Sequence, residues 1–107
     1  MSFSHDEIAI HLDAGVATVS PTGELDLATA PALRSALERA VSMGPQRIRV
    51  SLRAVSFIDS TGLAALVHGW RVASDQGVGF TVAEPAPHVR RVMEITHLER
   101  LFDGPET

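Results

Sequence analysis

Asp59-Ser60-Thr61-Gly62 sets a carboxylate, two hydroxyls and a glycine in four consecutive positions. The apolar, β-type stretch Val55 to Ile58 precedes them and an amphipathic helical pattern follows. The hydroxyls therefore fall in the first turn of a helix, where backbone N–H groups are free and the dipole end is positive. Two roles suit them. Asp, Ser and Thr all accept from such N–H groups and cap the helix, and glycine lets backbones approach closely. Alternatively, Ser60 carries a phosphate, which brings about −1.5 to −2 charges and three acceptor oxygens. The free amides could receive that phosphate without unfolding the domain, so the two roles are compatible. Asp59 would add like charge and partly oppose the gain. A partner fitted to a neutral hydroxyl would then meet a dianion, a repulsion of roughly several kcal/mol and enough to switch binding off.

A third chemistry, attack by Ser60 as a nucleophile, lacks its surroundings. The spacing is Asp-Ser-Thr-Gly, whereas α/β-hydrolases use a Gly-x-Ser-x-Gly elbow. A base and an orienting acid are also needed, and nothing in the pattern brings His88 or His97 to Ser60. The five histidines, His5, His11, His68, His88 and His97, lack metal-ligand spacing, and the chain has no cysteine. Structural zinc, thiolate chemistry and disulfides are therefore not expected. Gly23-Glu24-Leu25-Asp26 has two readings: a polar loop whose Asp26 complements a helix dipole, or a loop sharing a surface with Ser60. The second follows because loops after strand C-termini gather at one edge of an α/β sheet.

The elements that must position these residues follow from periodicity. Ile8, Ile10 and Leu12 alternate as a half-buried strand; Asp13-Ala14-Gly15 turns; Val16 to Ser20 pairs back as a hairpin. Thr29 is placed to cap a helix with Pro31 in its first turn, and Leu33, Leu37 and Val41 form its buried face until Gly44-Pro45. Ile48, Val50 and Leu52 alternate with polar residues, so Arg49, Ser51 and Arg53 face solvent or a contact. Leu63, Leu66, Val67, Trp70 and Ala73 give the second helix an apolar stripe, with Trp70 packed in the core, and the helix ends near Gln76-Gly77. Val78, Phe80 and Val82 form another strand. Val89, Val92 and Met93 begin a last helix that breaks near Thr96. The order is β-β-α-β-α-β-α, an α/β fold. Strands that alternate have one partly wet face, so the helices are expected on the other.

Composition bounds the rest. A chain of 107 residues suits one domain, 1–107, without staples. A formal net charge of −4, with no basic run and few aromatics, opposes nucleic-acid binding. No apolar run reaches the ~20 residues of a membrane helix, and Met1 to Glu7 lacks signal-peptide features. A soluble, cytoplasmic protein is expected, with a loose tail at Asp103 to Thr107.

On three segments the chain resembles a STAS domain, and within that family a single-domain bacterial anti-sigma factor antagonist. They are Thr22-Gly23-Glu24-Leu25-Asp26, Val55 to Leu63 with Asp59-Ser60-Thr61-Gly62 at its centre, and Pro87 to Val92 leading to Leu98 and Leu101-Phe102. The resemblance implies a STAS-type mixed β-sheet with helices packed on one face, no enzyme activity and no cofactor. It implies that the unphosphorylated form binds an anti-sigma factor serine kinase and so frees a sigma factor for transcription. Ser60 would be the residue the kinase phosphorylates, releasing the antagonist, and a PP2C-type phosphatase would restore it. Asp59, Thr61 and Gly62 would shape the loop, Asp26 would be a nearby partner contact, and Thr61 a second acceptor. The free protein would be a monomer. Other STAS roles, such as a stressosome component or a detached relative of a transporter tail, are the alternatives, with serine hydrolysis behind them.

Overall fold

Residues 8–101 are described by a computed structural model. Ala9–Asp13 (β1) and Val16–Ser20 (β2) pair antiparallel, with Asp13 opposite Val16. Their two-residue turn holds Ala14 and Gly15 at φ 52° and 83°, the positive values that match hairpin twist. Arg47–Ser51 (β4) lies parallel to β2, and Gly79–Ala83 (β6) parallel to β4, giving the sheet order β1-β2-β4-β6. The expected alternation holds in the central strands: Ala17, Val19, Ile48, Val50, Phe80 and Val82 are buried on one face. On the other face Thr18, Arg49 and Thr81 stand in register, and Arg49 pairs with Glu84 at 3.2 Å. The first strand departs from expectation. As an edge strand it leans only Ile10 on the core, and Leu12 stays 42% exposed.

Two short strands extend the expected order. Gly23–Leu25 (β3) and Val55–Ile58 (β5) form a separate parallel pair. β5 is the β-type stretch expected before the Ser60 junction, although its burial runs inward at Val55 and Ile58 and outward at Ser56 and Phe57, without the period of two that marks a regular strand; β3 was not expected. The Gly23-Glu24-Leu25 segment is thus a strand, and Asp26 starts the loop after it.

Helix Ala30–Ser42 (α1) carries Pro31 in its first turn and buries Leu33, Ala36, Leu37 and Ala40. Helix Ser60–Asp75 (α2) buries Leu63, Ala65, Leu66 and Ala73. The two helices meet closely where Gly69 faces Leu37: a Cβ at Gly69 would come within 2.5 Å of Leu37 Cδ1. Trp70 is only half-buried, with the Arg100 guanidinium 5.4 Å from its ring centroid. Helix Pro87–Ile95 (α3) buries Val89 and Met93 and stops at Thr96; a 3-10 turn at Glu99–Leu101 then seats Leu101 in the core. Among the described residues no helix is long and apolar enough to cross a membrane. Phe3, His5, Phe102 and the segments 1–7 and 102–107 lie outside the described residues.

Candidate functional site

β3 and β5 run parallel and end level, Leu25 opposite Ile58. The residues that follow, Asp26 and Asp59, therefore emerge side by side at the strand C-termini. One backbone bond ties the two exits: the Asp59 N–H donates to the Leu25 carbonyl at 3.1 Å. Gly62 makes that closeness possible, since a Cβ there would lie 2.4 Å from the Leu25 carbonyl oxygen. Asp26, expected as a neighbour of the Ser60 junction, is brought to it.

Asp59 is the cap of α2. Its Oδ1 accepts from the Thr61 N–H at 2.9 Å, the Gly62 N–H at 3.1 Å and the Thr61 hydroxyl at 2.6 Å. The Thr61 hydroxyl bond, then the Gly62 amide bond, hold its carboxyl below the ordinary aspartate pKa because each stabilises the anion. Two consequences depart from the sequence reading. The Thr61 and Gly62 amides, expected to be available to a phosphate, are already taken by a carboxylate. Thr61, expected as a second acceptor, has its hydroxyl engaged. Ser60 is the first residue of α2, exposed, and its hydroxyl bonds to no other described residue. The cap thus belongs to Asp59, which leaves Ser60 open for other chemistry.

The Asp26 loop is held from within. The Thr29 hydroxyl donates to the Glu24 carbonyl at 2.7 Å and accepts from the Asp26 N–H at 2.9 Å. Asp26 Oδ1 in turn accepts from the Ala28 N–H at 3.0 Å and the Thr29 N–H at 3.3 Å. Thr29 does stand at the N-cap position of α1, but makes no side-chain bond to its amides. Its hydroxyl reaches back because the tight turn after β3 offers a nearer carbonyl and amide.

Beside Ser60 a groove of about 500 Å³ runs between α1 and α2, floored by Leu63, Ala64 and Val67, edged by Arg34, His68 and Arg71, and closed by Leu98. A second hollow of about 280 Å³ joins Leu27, Pro31 and Arg34 to Thr61 and Ala64. Leu27 is 74% exposed and Phe57 46% exposed. Arg34, Leu27 and the groove were not found from sequence. Only Leu27, directly after Asp26, carried any signal, as an apolar residue in a polar segment. His88 binds the Ser56 carbonyl and anchors α3 to β5, and His68 pairs with Glu38 at 2.6 Å; neither lies at hydrogen-bonding distance of Ser60. Among the described residues no group of three or more His, Asp or Glu is placed to hold a metal.

A sequence-family model described as "Mlab, STAS domain" matches residues 8–103. The anti-sigma-B factor antagonist of Bacillus subtilis is 32% identical over 85 residues, 79% of this chain and 77% of that protein. The anti-sigma-F factor antagonist RsfB of Mycobacterium tuberculosis is 35% identical over 88 residues, 82% of this chain and 71% of that protein. The crystal structure of an anti-sigma factor antagonist from Mycobacterium paratuberculosis superposes with a TM-score of 0.78 at 33% identity, covering 92% of this chain and 85% of that one.

Proposed function

This chain belongs to the STAS domain family, and from that premise we propose that it is an anti-sigma factor antagonist switched by phosphorylation of Ser60. Unphosphorylated, it binds an anti-sigma factor serine kinase through Asp26, Asp59, Ser60, Thr61 and Gly62, and so frees a sigma factor for transcription. The kinase transfers phosphate to the Ser60 hydroxyl, and the complex dissociates. A PP2C-type phosphatase reverses the modification. The chain itself is a substrate and a ligand, with no catalytic step of its own, and works as a cytoplasmic monomer when free.

The observation that carries this reading is the division of labour at the start of α2. Asp59 caps the helix, so the exposed Ser60 hydroxyl has no structural duty. Its surroundings are already negative, with Asp26 and Asp59 at adjoining strand ends. An added dianion there raises local charge at a partner surface without loss of a core contact. The test is incubation with the candidate kinase and ATP, followed by phosphate mapping by mass spectrometry. Phosphate on Ser60 is expected; an active kinase that leaves Ser60 unmodified would overturn the switch. Ser60→Asp should bind the kinase more weakly, and Ser60→Ala should bind and resist release. Equal affinities would show that charge at Ser60 is irrelevant.

A further inference from the structure

We propose that Arg34 is the counter-ion of the phosphorylated switch: its guanidinium, reaching from α1 across the groove, pairs with a phosphate on Ser60. This rests on the reading of Ser60 as phosphoacceptor and assigns a partner that the STAS motif does not contain.

The need for a cation follows from what surrounds Ser60. Two of the first-turn amides are not available, because Asp59 Oδ1 holds those of Thr61 and Gly62. Asp59 itself repels a dianion, and Asp26 stands beside it. Among the described residues, three basic groups line the groove that holds Ser60: Arg34, His68 and Arg71. His68 is engaged by Glu38 at 2.6 Å. Arg71 lies about 16 Å along α2 from Ser60 at 1.5 Å per residue, beyond the reach of its side chain. Arg34 remains.

Register brings Arg34 to the right end. One hollow joins Ala30 and Pro31 at the start of α1 to Thr61 and Ala64 at the start of α2, and further along both helices Leu37 meets Gly69 and Glu38 meets His68, so α1 and α2 run parallel. One turn back, Arg34 stands level with Ala64, itself one turn above Ser60. Helical side chains lean toward the N-terminus, so Arg34 leans toward Ser60. It lines the hollow containing Thr61 as well as the groove containing Ser60. Among the described residues it has no ion-pair partner; Glu38, four residues on, is turned to His68. A guanidinium offers two parallel N–H donors to phosphate oxygens. Such pairing would draw the phosphate over Ala64 and lay charge along the apolar groove floor, extending the effect of phosphorylation beyond Ser60 itself.

The test uses the full chain with phosphoserine installed at position 60 by genetic-code expansion, so that no kinase is required. The phosphorus-31 shift is followed against pH in wild type, Arg34→Gln, Arg34→Lys and Arg71→Gln. An unpaired phosphoserine titrates near pKa ~6. The wild-type midpoint should lie lower than that of Arg34→Gln by about half a unit or more, since a nearby cation favours the dianion. Arg34→Lys should keep part of the difference, and Arg71→Gln should match wild type. Coincident wild-type and Arg34→Gln titrations would overturn the proposal, as would equal shifts in Arg34→Gln and Arg71→Gln, which would mean a general field. A kinase that fails to modify Ser60 would reject the switch while leaving this titration to judge the ion pair.

Discussion

A methyl group added at Gly62 would sit 2.4 Å from the Leu25 carbonyl oxygen and 2.9 Å from both Leu25 Cβ and Ile58 Cγ1. The oxygen belongs to backbone and also accepts the Asp59 N–H at 3.1 Å, so it cannot turn aside as a side chain would. In Gly62→Ala the start of α2 must move away from β3. Three contributions decide the sign. Alanine gains about 0.5–1 kcal/mol over glycine inside a helix. Overpacking opposes it by about 1–3 kcal/mol, here toward the upper end. Loosening the Asp59–Leu25 bond removes about 1 kcal/mol more. The net expectation is a loss of about 2–3 kcal/mol, a large part of the stability of a small domain. Urea unfolding followed by the fluorescence of Trp70, the chain's single tryptophan, measures it. Gly69→Ala is the control: its closest contact is the terminal Cδ1 of Leu37 at 2.5 Å, with Leu37 Cβ and Cγ at 3.2 Å. A side chain can shift, so about 1 kcal/mol is expected there. Gly62→Ala within about 0.5 kcal/mol of wild type, the usual range of surface substitutions, would refute the claim that Gly62 sets the approach of the two loops.

Three further outcomes are expected. Asp59 has its folded pKa depressed chiefly by the Thr61 hydroxyl, so it stabilises the fold above the unfolded carboxylate pKa, near ~4. That contribution is lost as pH falls through the lower folded value; Thr61→Val should reduce the acid dependence of unfolding below about pH 4, and an unchanged profile would contradict the assignment. Thr29→Val removes the bonds to the Glu24 carbonyl and the Asp26 N–H and should lower stability by about 1–2 kcal/mol, with weaker kinase binding in a titration because the Asp26 loop loosens; unaltered unfolding would mean the hydroxyl is idle. The Thr81 hydroxyl is buried without a hydrogen-bond partner among the described residues, so Thr81→Val should leave the denaturation midpoint unchanged or raise it by up to about 1 kcal/mol of stability, whereas a clear loss would reveal a hidden partner.

The sequence was readable where periodicity and burial agree. Ile48, Val50 and Phe80 alternate because helices cover one face of the central sheet only, and the same argument locates α1 and α2. It failed at β3, where three residues are too few for a period, and it left β5 out of the element order although Val55 to Ile58 read as β-type, because four residues with Phe57 pointing outward do not alternate. Leu12 looked like a core residue but belongs to an edge strand whose apolar side chains are partly uncovered. In the site, Asp59 to Gly62 are contiguous and stood out at once. Their roles did not, since any of three side chains could have capped the helix and only geometry gives the bond to Asp59. The position of Thr29 fits a helix cap, but its hydroxyl instead accepts from the Asp26 N–H and donates to the Glu24 carbonyl. Arg34 was invisible because its place beside Ser60 depends on the parallel register of two helices, which no local pattern encodes.

The central claim is that charge on Ser60 governs partner binding, and one titration tests it most directly. The chain, with serine or with installed phosphoserine at position 60, is titrated into the candidate anti-sigma factor kinase and the affinity measured by calorimetry. The phosphorylated form should bind at least about 100-fold more weakly, the equivalent of roughly 3 kcal/mol. Equal affinity of the two forms would contradict it.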